Sequence, residues 1–518
     1  MSKTDETESW GTVCLQTVLA LFALTIFAAF VIFVCLPVYL FRLLAYLAAR
    51  LIRPDLDRML TPQSNIMATD AIYTKPEGTY VTKFLLDGEI GRKELESRLQ
   101  VAICNEKFSV LSQTLENWMG FYFWKRFDEN KPFQLNDQLE FNEDQVSTDE
   151  IKDIHKSLVD RPFKKNQPLW ECIVYTNVLP EKIIRNVTRQ TVIFFRVHQS
   201  LADGTSFFSI FDELKMVPEH QVMLNLFMGN QNSIMSLKEK VKFGLRVLGL
   251  GPFYMAWDWA HARVSQSDNN KMLRTLMNKL ESNTETKVIE EVYLENARRI
   301  AMSNMAPTGA LSVSIVTGIV RRIADCDGQE DLKVTNVPNL FKINCPMPIP
   351  FPADRISNYV ALIPIAGETA TTQPIARLGA MLQSIGDMIF STTPYITFGL
   401  VLLIGGLNSY LTKYFARLLP LGSVILNIFP GSTLRRKFLE KDVSAITVQS
   451  GCPSFLGGAC CNFNSIMYKG ELSVSMTCPK NLNVKDKLLE EFKLCQASAN
   501  SNAGFFGMNL GNLLNALT

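Results

Sequence analysis

Gln190-Thr191-Val192-Ile193-Phe194-Phe195-Arg196-Val197, continued by His198-Gln199-Ser200-Leu201-Ala202-Asp203-Gly204, is the stretch whose reading decides the fold. The apolar run Val192 to Phe195 is short and made of β-branched and aromatic side chains, which predicts a buried strand over Gln190 to Val197. Thr205 to Leu214 predicts a helix. The turn between a buried strand and a helix start is where α/β folds present reactive groups. Asp203 is placed to accept hydrogen bonds from the free N–H groups of that helix, and Gly204 to give the backbone freedom for the bend. His198, at the end of the strand, has the chemistry to take a proton from an alcohol and make it nucleophilic toward a thioester.

Working outward, the same alternation of strands and helices continues. Tyr80 to Leu86 predicts a strand, Arg92 to Cys104 an amphipathic helix and Glu171 to Tyr175 a further strand. In the second half, Asn358 to Pro364 predicts a strand. Ser465 to Tyr468 and Glu471 to Cys478 predict a hairpin across Lys469-Gly470. Asn230 to about Asn283 reads as helical and joins the halves. Arg53 to Thr61 reads as a link. The uncharged run Tyr395 to Leu407 is too short to span a bilayer and reads as a buried helix, the alternative being a face dipping into a membrane. The class is α/β, with two halves that each mix sheet and helices.

Ser9 to Phe41 is a run of 33 residues without a charge. A bilayer core takes about 20 such residues in a helix, whereas a cleavable signal has an apolar core of only about 7–15. The run therefore predicts a retained anchor, and the domains expected are 1–52 for the anchor, 53–260 for the first half and 261–518 for the second. Arg42, Arg50, Arg53 and Arg58 follow the anchor, against Lys3 before it. The excess of positive charge places the large C-terminal part in the cytosol of a single-pass membrane protein, at the endoplasmic reticulum or plasma membrane. Asn186-Val187-Thr188 is a glycosylation acceptor that points the other way and is outweighed by the arginines.

A net charge of +2 gives no field favouring nucleic acid. There is no Gly-rich phosphate loop and no metal-ligand spacing. Eleven cysteines at irregular spacing, with Cys460 and Cys461 adjacent, read as reduced, buried thiols. Of the four histidines, His155, His220 and His261 fall in helical or linker contexts, which leaves His198 as the candidate base.

Taken together, these landmarks resemble the wax ester synthase/diacylglycerol acyltransferase family of the CoA-dependent acyltransferase superfamily, whose signature is His-His-x-x-x-Asp-Gly. The matching stretch is His198 to Gly204. Leu60-Thr61-Pro62 with Thr69-Asp70-Ala71, Gln167-Pro168-Leu169-Trp170, Ser357-Asn358-Tyr359-Val360, Asn427-Ile428-Phe429-Pro430-Gly431 and Tyr468-Lys469-Gly470-Glu471-Leu472 resemble further family motifs in the same order. The resemblance runs from about Leu60 to about Ala499.

It implies two acyltransferase-like subdomains with the motif at their interface, acyl-CoA as one substrate, and a fatty alcohol or diacylglycerol as the other. It implies no metal or redox cofactor, and a bilayer as the place where the acceptor is dissolved. It marks Asp203 and Gly204 as structural, and Pro168, Leu169, Trp170, Asn358 and Asn427 as candidate substrate-binding positions. One departure matters. The second histidine of the signature, the family's base, is Gln199 here, and glutamine does not titrate. His198 is then the base expected by elimination, although adjacent residues of a strand face opposite ways. The Asn-Asp pair of the family's second half is also replaced, by Pro307 to Ser312. The alternative function is a non-catalytic relative that binds acyl-CoA or lipid.

Overall fold

The computed structural model of the chain describes residues 10–180, 189–214, 252–253, 256, 287–325, 340–348 and 356–501, apart from 370, 390–392, 420–421, 423, 433–434, 458 and 480–483. The helix expected over Asn230 to Asn283, the boundary at 260, Asn186, His220 and His261 all lie outside the described residues.

Two six-stranded sheets carry the fold. The first runs in the order β12 (Lys437–Phe438), β13 (Lys441–Ser450), β2 (Thr79–Asp87), β7 (Gln190–His198), β6 (Trp170–Val178), β5 (Leu139–Val146). The second runs β10 (Val360–Glu368), β9 (Leu340–Pro348), β11 (Val424–Ser432), β14 (Cys461–Tyr468), β15 (Glu471–Pro479), β8 (Lys287–Leu294). A small third sheet orders β1 (Leu56–Met59), β4 (Phe121–Arg126) and β3 (Gln113–Trp118). The halves interlock, because β13 comes from the second half of the sequence yet pairs antiparallel with β2, Ile446 opposite Phe84.

Every residue of β7 is buried, as its apolar run implies. Val192 and Phe194 pack with Ile151, Leu158 and Val159 of helix α5 (Thr148–Asp160). Ile193, Phe195 and Val197 face the other way, into the core that holds Phe207, Phe208 and Phe211 of helix α6 (Gly204–Glu213). Period-two alternation thus gives the strand one face toward α5 and one toward α6. The hairpin forms as expected, with both Lys469 (φ 53°) and Gly470 (φ 92°) in the left-handed region that such a two-residue turn requires.

Helices α8 (Thr308–Asp325), α9 (Pro374–Ile389) and α12 (Val484–Ser501) cover the second sheet, with the short α7 (Ala297–Ser303) beside them. The halves are also joined by a buried charge cluster. Lys83 Nζ lies 3.1 Å from Glu291 Oε1, His155 Nδ1 lies 3.4 Å from Glu291 Oε2, and Gln449 Nε2 donates to Glu291 Oε2 at 3.0 Å. Burial pushes the Glu291 carboxyl up, but Lys83 and His155 outweigh it and hold the group well below the usual carboxylate range.

At the N-terminus, α1 (Trp10–Phe30), a π-helical stretch Val31–Cys35 and α2 (Leu36–Ile52) form one helix, and Val13–Ile52 is long and apolar enough to cross a membrane. Pro37 lacks the N–H that would bond back one turn, and the wider π-helical turn precedes it.

One expectation needs correction here. Arg53 to Thr61 is not a plain link, because Leu56–Met59 is strand β1, paired with β4. The N-terminal helix also packs on the globular part. Ala45 and Ala49 of α2 are buried against Leu56, Phe121 and Phe123, and Arg42 donates to the Leu60 carbonyl at 2.7 Å. A chain cut at Asp55 would uncover Phe121 and Phe123, so it would not be expected to behave as an independent soluble unit. Tyr395 to Leu407 falls in α10 (Thr393–Gly405). It buries Ile396, Val401 and Ile404 toward helix α3 (Pro62–Met67) and β10, while Thr397, Phe398, Leu400, Leu402 and Leu403 are only half covered.

Candidate functional site

Where the end of β7 meets β11 and the loop before β10, the two sheets flank a narrow cleft, part of it open to solvent. Its polar wall holds Gln63, Tyr80, Gln199, Asn358, Asn427 and Asn462, and Asp203 and Gly204 lie at its edge. Ile66, Val401, Leu419 and Ile425 are among the apolar residues that make up the rest.

Gln199 lines this cleft and His198 does not. His198 continues the α5-facing series of β7, so its ring points the opposite way and meets the Phe163 ring edge-on, centroids 5.8 Å apart. Both ring nitrogens are engaged. Nδ1 accepts from the Ser200 hydroxyl at 2.8 Å and the Ser200 N–H at 3.2 Å, which assigns the proton to Nε2. Nε2 then donates to Asp70 Oδ2 at 3.1 Å. The same Asp70 oxygen accepts the N–H groups of Glu77 and Gly78, both at 2.8 Å. Burial raises the Asp70 pKa, but the His198 ring and these N–H groups outweigh it, and the carboxyl lies below its ordinary value. The sequence reading of His198 as base by elimination thus meets an imidazole with no free lone pair and no face on the cleft. No bulge turns it inward.

Asp203 takes the structural role expected of it. Oδ1 accepts the Ser206 N–H at 2.6 Å and caps α6, and Oδ2 accepts the Tyr359 N–H at 2.8 Å. One carboxylate therefore ties the motif to the second half. Asn358 reinforces the tie, donating to the Gln199 carbonyl at 3.2 Å. Gly204 serves differently from the expectation of a flexible bend. It is the first residue of α6, and a Cβ there would come within 2.6 Å of the Phe429 ring. Glycine is needed for close approach of α6 to β11, not for a special backbone angle.

Among the substrate-binding candidates, Asn358 and Asn427 line the cleft, while Pro168, Leu169 and Trp170 do not. Leu169 and Trp170 are core residues at the start of β6. The Leu169 carbonyl accepts the His198 N–H at 3.0 Å and Trp170 Nε1 donates to the Leu111 carbonyl at 2.7 Å. Their motif secures the strand beside β7.

Sequence reading missed several residues of the site. Asn427 Nδ2 donates to Asn462 Oδ1 at 2.8 Å and Asn464 Oδ1 at 2.9 Å, a buried row that Ser450 Oγ extends to Asn464 Oδ1 at 2.8 Å. The signal was present in Cys461-Asn462-Phe463-Asn464, where polar amides alternate on one face of an otherwise apolar strand. Tyr80 faces the same row, its hydroxyl 3.5 Å from Asn427 Oδ1. Burial and then Asp203 push its pKa up, which keeps it a protonated donor. Gln63 is the other omission. Its Nε2 is buried and has no hydrogen-bond partner among the described residues. The Gln199 side-chain amide likewise has no protein partner there. The cleft thus offers two amides with free hydrogen-bonding capacity, while the neighbouring imidazole and carboxylates are fully engaged.

No family model matches the chain, and no curated protein matches it in sequence. Solved structures do match it in fold. The wax ester synthase/diacylglycerol acyltransferase from Marinobacter aquaeolei VT8 superposes with a TM-score of 0.50 at 12% identity, covering 86% of this chain and 100% of that one. The first condensation domain of the calcium-dependent antibiotic synthetase gives 0.49 at 10% identity, covering 85% and 96%. The chain therefore has the two-sheet fold of the Marinobacter wax ester synthase/diacylglycerol acyltransferase, the fold that its motif order implied.

Proposed function

We propose that the protein is a membrane-anchored O-acyltransferase that moves a fatty acyl group from acyl-CoA to a long-chain alcohol or diacylglycerol, forming a wax ester or triacylglycerol. The observation that carries this reading is the cleft between the halves, with the free amides of Gln63 and Gln199 set in a largely apolar lining. A thioester carbonyl oxygen is an acceptor for Gln63 Nε2, and an alcohol hydroxyl is a donor for Gln199 Oε1. The alcohol oxygen attacks the carbonyl carbon, the C–S bond breaks, and the hydroxyl proton ends on the departing CoA sulfur. In this reading the site works by positioning: among the described residues the His198 imidazole is held away from the cleft, and the Asp203 carboxylate accepts the Ser206 and Tyr359 N–H groups. The exchange is redox-neutral and calls for no cofactor. The helix at Val13–Ile52 is the anchor, and the arginines that follow its uncharged part, from Arg42 to Arg58, keep the globular part in the cytosol.

One observation favours a second reading, a relative that binds acyl-CoA or lipid without turning it over. The family's base position is Gln199, and His198 is held by Asp70 and Ser200. Membranes carrying the full chain, given labelled acyl-CoA and a panel of alcohols, diacylglycerols and sterols, separate the two. Ester formed by the wild type supports the transferase. Ester formed only by Gln199→His supports a binding protein that lacks just its base. Binding of acyl-CoA by both, with ester from neither, also supports the second reading. Failure to bind acyl-CoA at all overturns both.

A further inference from the structure

Helix α10 is followed directly by α11 (Ser409–Arg417), and this pair has two contrasting faces. The inner face supplies Val401 and, just past α11, Leu419 to the wall of the cleft. The outer face of α11 presents Tyr410, Tyr414 and Leu418 at 82%, 61% and 61% exposure, four residues apart and so on one side of the helix. Lys413 and Arg417 are exposed beside them. An outward stripe of aromatics, a leucine and cations, on a helix next to an uncharged one, is the composition of a segment lying in the headgroup region of a bilayer.

The anchor fixes where this stripe sits. The Tyr39 hydroxyl donates to the Leu402 carbonyl at 2.7 Å, Arg42 Nη1 reaches the Gly406 carbonyl at 3.4 Å, and the Phe30 and Phe415 rings pack at 4.7 Å. The α10–α11 pair is thus docked on the anchor between Phe30 and Arg42. The uncharged run of 33 residues from Ser9 to Phe41 is about 50 Å of helix, against a hydrocarbon core of about 30 Å. The excess is of the same size as the stretch that α10 and α11 cover. Beyond it the outer side of α2 stays apolar, with Leu43, Leu44, Leu47 and Leu51 exposed. These side chains and the α11 stripe are the large apolar surfaces that a soluble protein would not leave uncovered.

We infer that α10 and α11 are seated in the bilayer interface, with their outer face in lipid and their inner face forming the wall of the cleft. An apolar ligand dissolved in the membrane then reaches the cleft past Val401 and Leu419 without crossing water. This rests on the anchoring part of the reading above and not on catalysis.

The test uses the full chain in phosphatidylcholine/phosphatidylserine vesicles containing a diazirine-bearing fatty alcohol, irradiated and then mapped by peptide mass spectrometry. Adducts are expected within residues 13–40 and also on Tyr410, Tyr414 or Leu418. In the double variant Tyr414→Glu, Leu418→Glu, which changes only exposed positions, the α11 adducts are expected to be lost and the anchor adducts kept. Adducts confined to residues 13–40 in the wild type would overturn the inference while leaving the anchor intact. Adducts in neither region would overturn the anchoring and the inference together.

Discussion

His198 and Gln199 stand side by side at the end of β7, project to opposite faces, and meet opposite hydrogen-bonding conditions. On the α5 side, His198 is fully buried, with Ser200 on one nitrogen and Asp70 on the other. On the cleft side, Gln199 lines the cleft with an unengaged amide. The residue able to carry a proton is committed to holding the loop, and the residue that lines the cleft cannot carry one. Strand alternation, not side-chain chemistry, decides which neighbour reaches the cleft. If that contrast is real, substitutions on the two faces must differ in kind: stability on one, ligand chemistry on the other.

The largest effect is expected from His198→Ala. Removing the ring takes one hydrogen bond from the buried Asp70 carboxylate, about 1.5–3 kcal/mol for a bond to a charged group, and opens a cavity that adds to the cost. Denaturant titration of the full chain in detergent checks this. An unchanged midpoint together with lost ester formation would put His198 back in the chemistry. The pair also predicts a pH dependence. The Asp70 carboxyl is lowered in the folded state, so its contribution is present above the unfolded carboxylate range and disappears as pH falls. The wild type should therefore lose stability below about pH 4, the unperturbed aspartate value, and Asp70→Asn should flatten that part of the curve.

Asp203→Ala comes next. It removes the cap of α6, typically about 0.5–2 kcal/mol, and leaves the Tyr359 N–H without its acceptor, about 1–3 kcal/mol if it stays dry. Asp203→Asn keeps an oxygen for one of the two bonds and should cost less. Thermal melts of both variants check the order. Below these lies Gly204→Ala, whose added methyl must displace the Phe429 ring; overpacking of this sort costs about 1–3 kcal/mol. Phe429→Leu in the same chain should recover part of the loss. Independent, additive penalties would show that the two residues do not meet as described.

How much of this was legible beforehand follows from what each signal depends on. Strand β7, the hairpin at Lys469-Gly470 and the long apolar N-terminal helix rest on local periodicity and turn chemistry, and these elements formed as expected. The structural role of Asp203 was also readable, because a cap is a local device. What holds His198 was not legible, because Asp70, 128 positions away, cannot be paired with it from spacing. Asp70 was already marked by the motif Thr69-Asp70-Ala71, but with no chemistry attached. Gln63, and Asn462 and Asn464 beside the already marked Asn427, were missed for the same reason. Their meaning depends on which sheets face each other, and β13 crossing into the first sheet is not visible in any one segment. The docking of α2 on Phe121 and Phe123 is likewise a long-range event, which no local pattern shows.

The smallest stability change is expected from Gln199→Ala. The Gln199 side chain makes no hydrogen bond to the described protein, so removing it breaks none. The residue is only 5% exposed but lines the cleft, so truncation enlarges that space, and the cost should stay near the roughly 1 kcal/mol of an average substitution. Its effect on ligand chemistry should be visible but modest. A hydrogen bond between neutral groups contributes about 0.5–1.5 kcal/mol, or roughly two- to tenfold in rate or binding. A positioned general base would instead be worth about 10²–10⁴-fold. Ester formation by the purified full chain, wild type against Gln199→Ala, therefore reads the role of this position directly. A loss near tenfold with a nearly unchanged melting temperature fits an amide that orients the acceptor hydroxyl. A loss beyond a hundredfold at full stability would mean that the amide does more than orient. No loss at all would remove Gln199 from the chemistry, and the contrast with His198 would then reduce to one between a structural residue and an idle one.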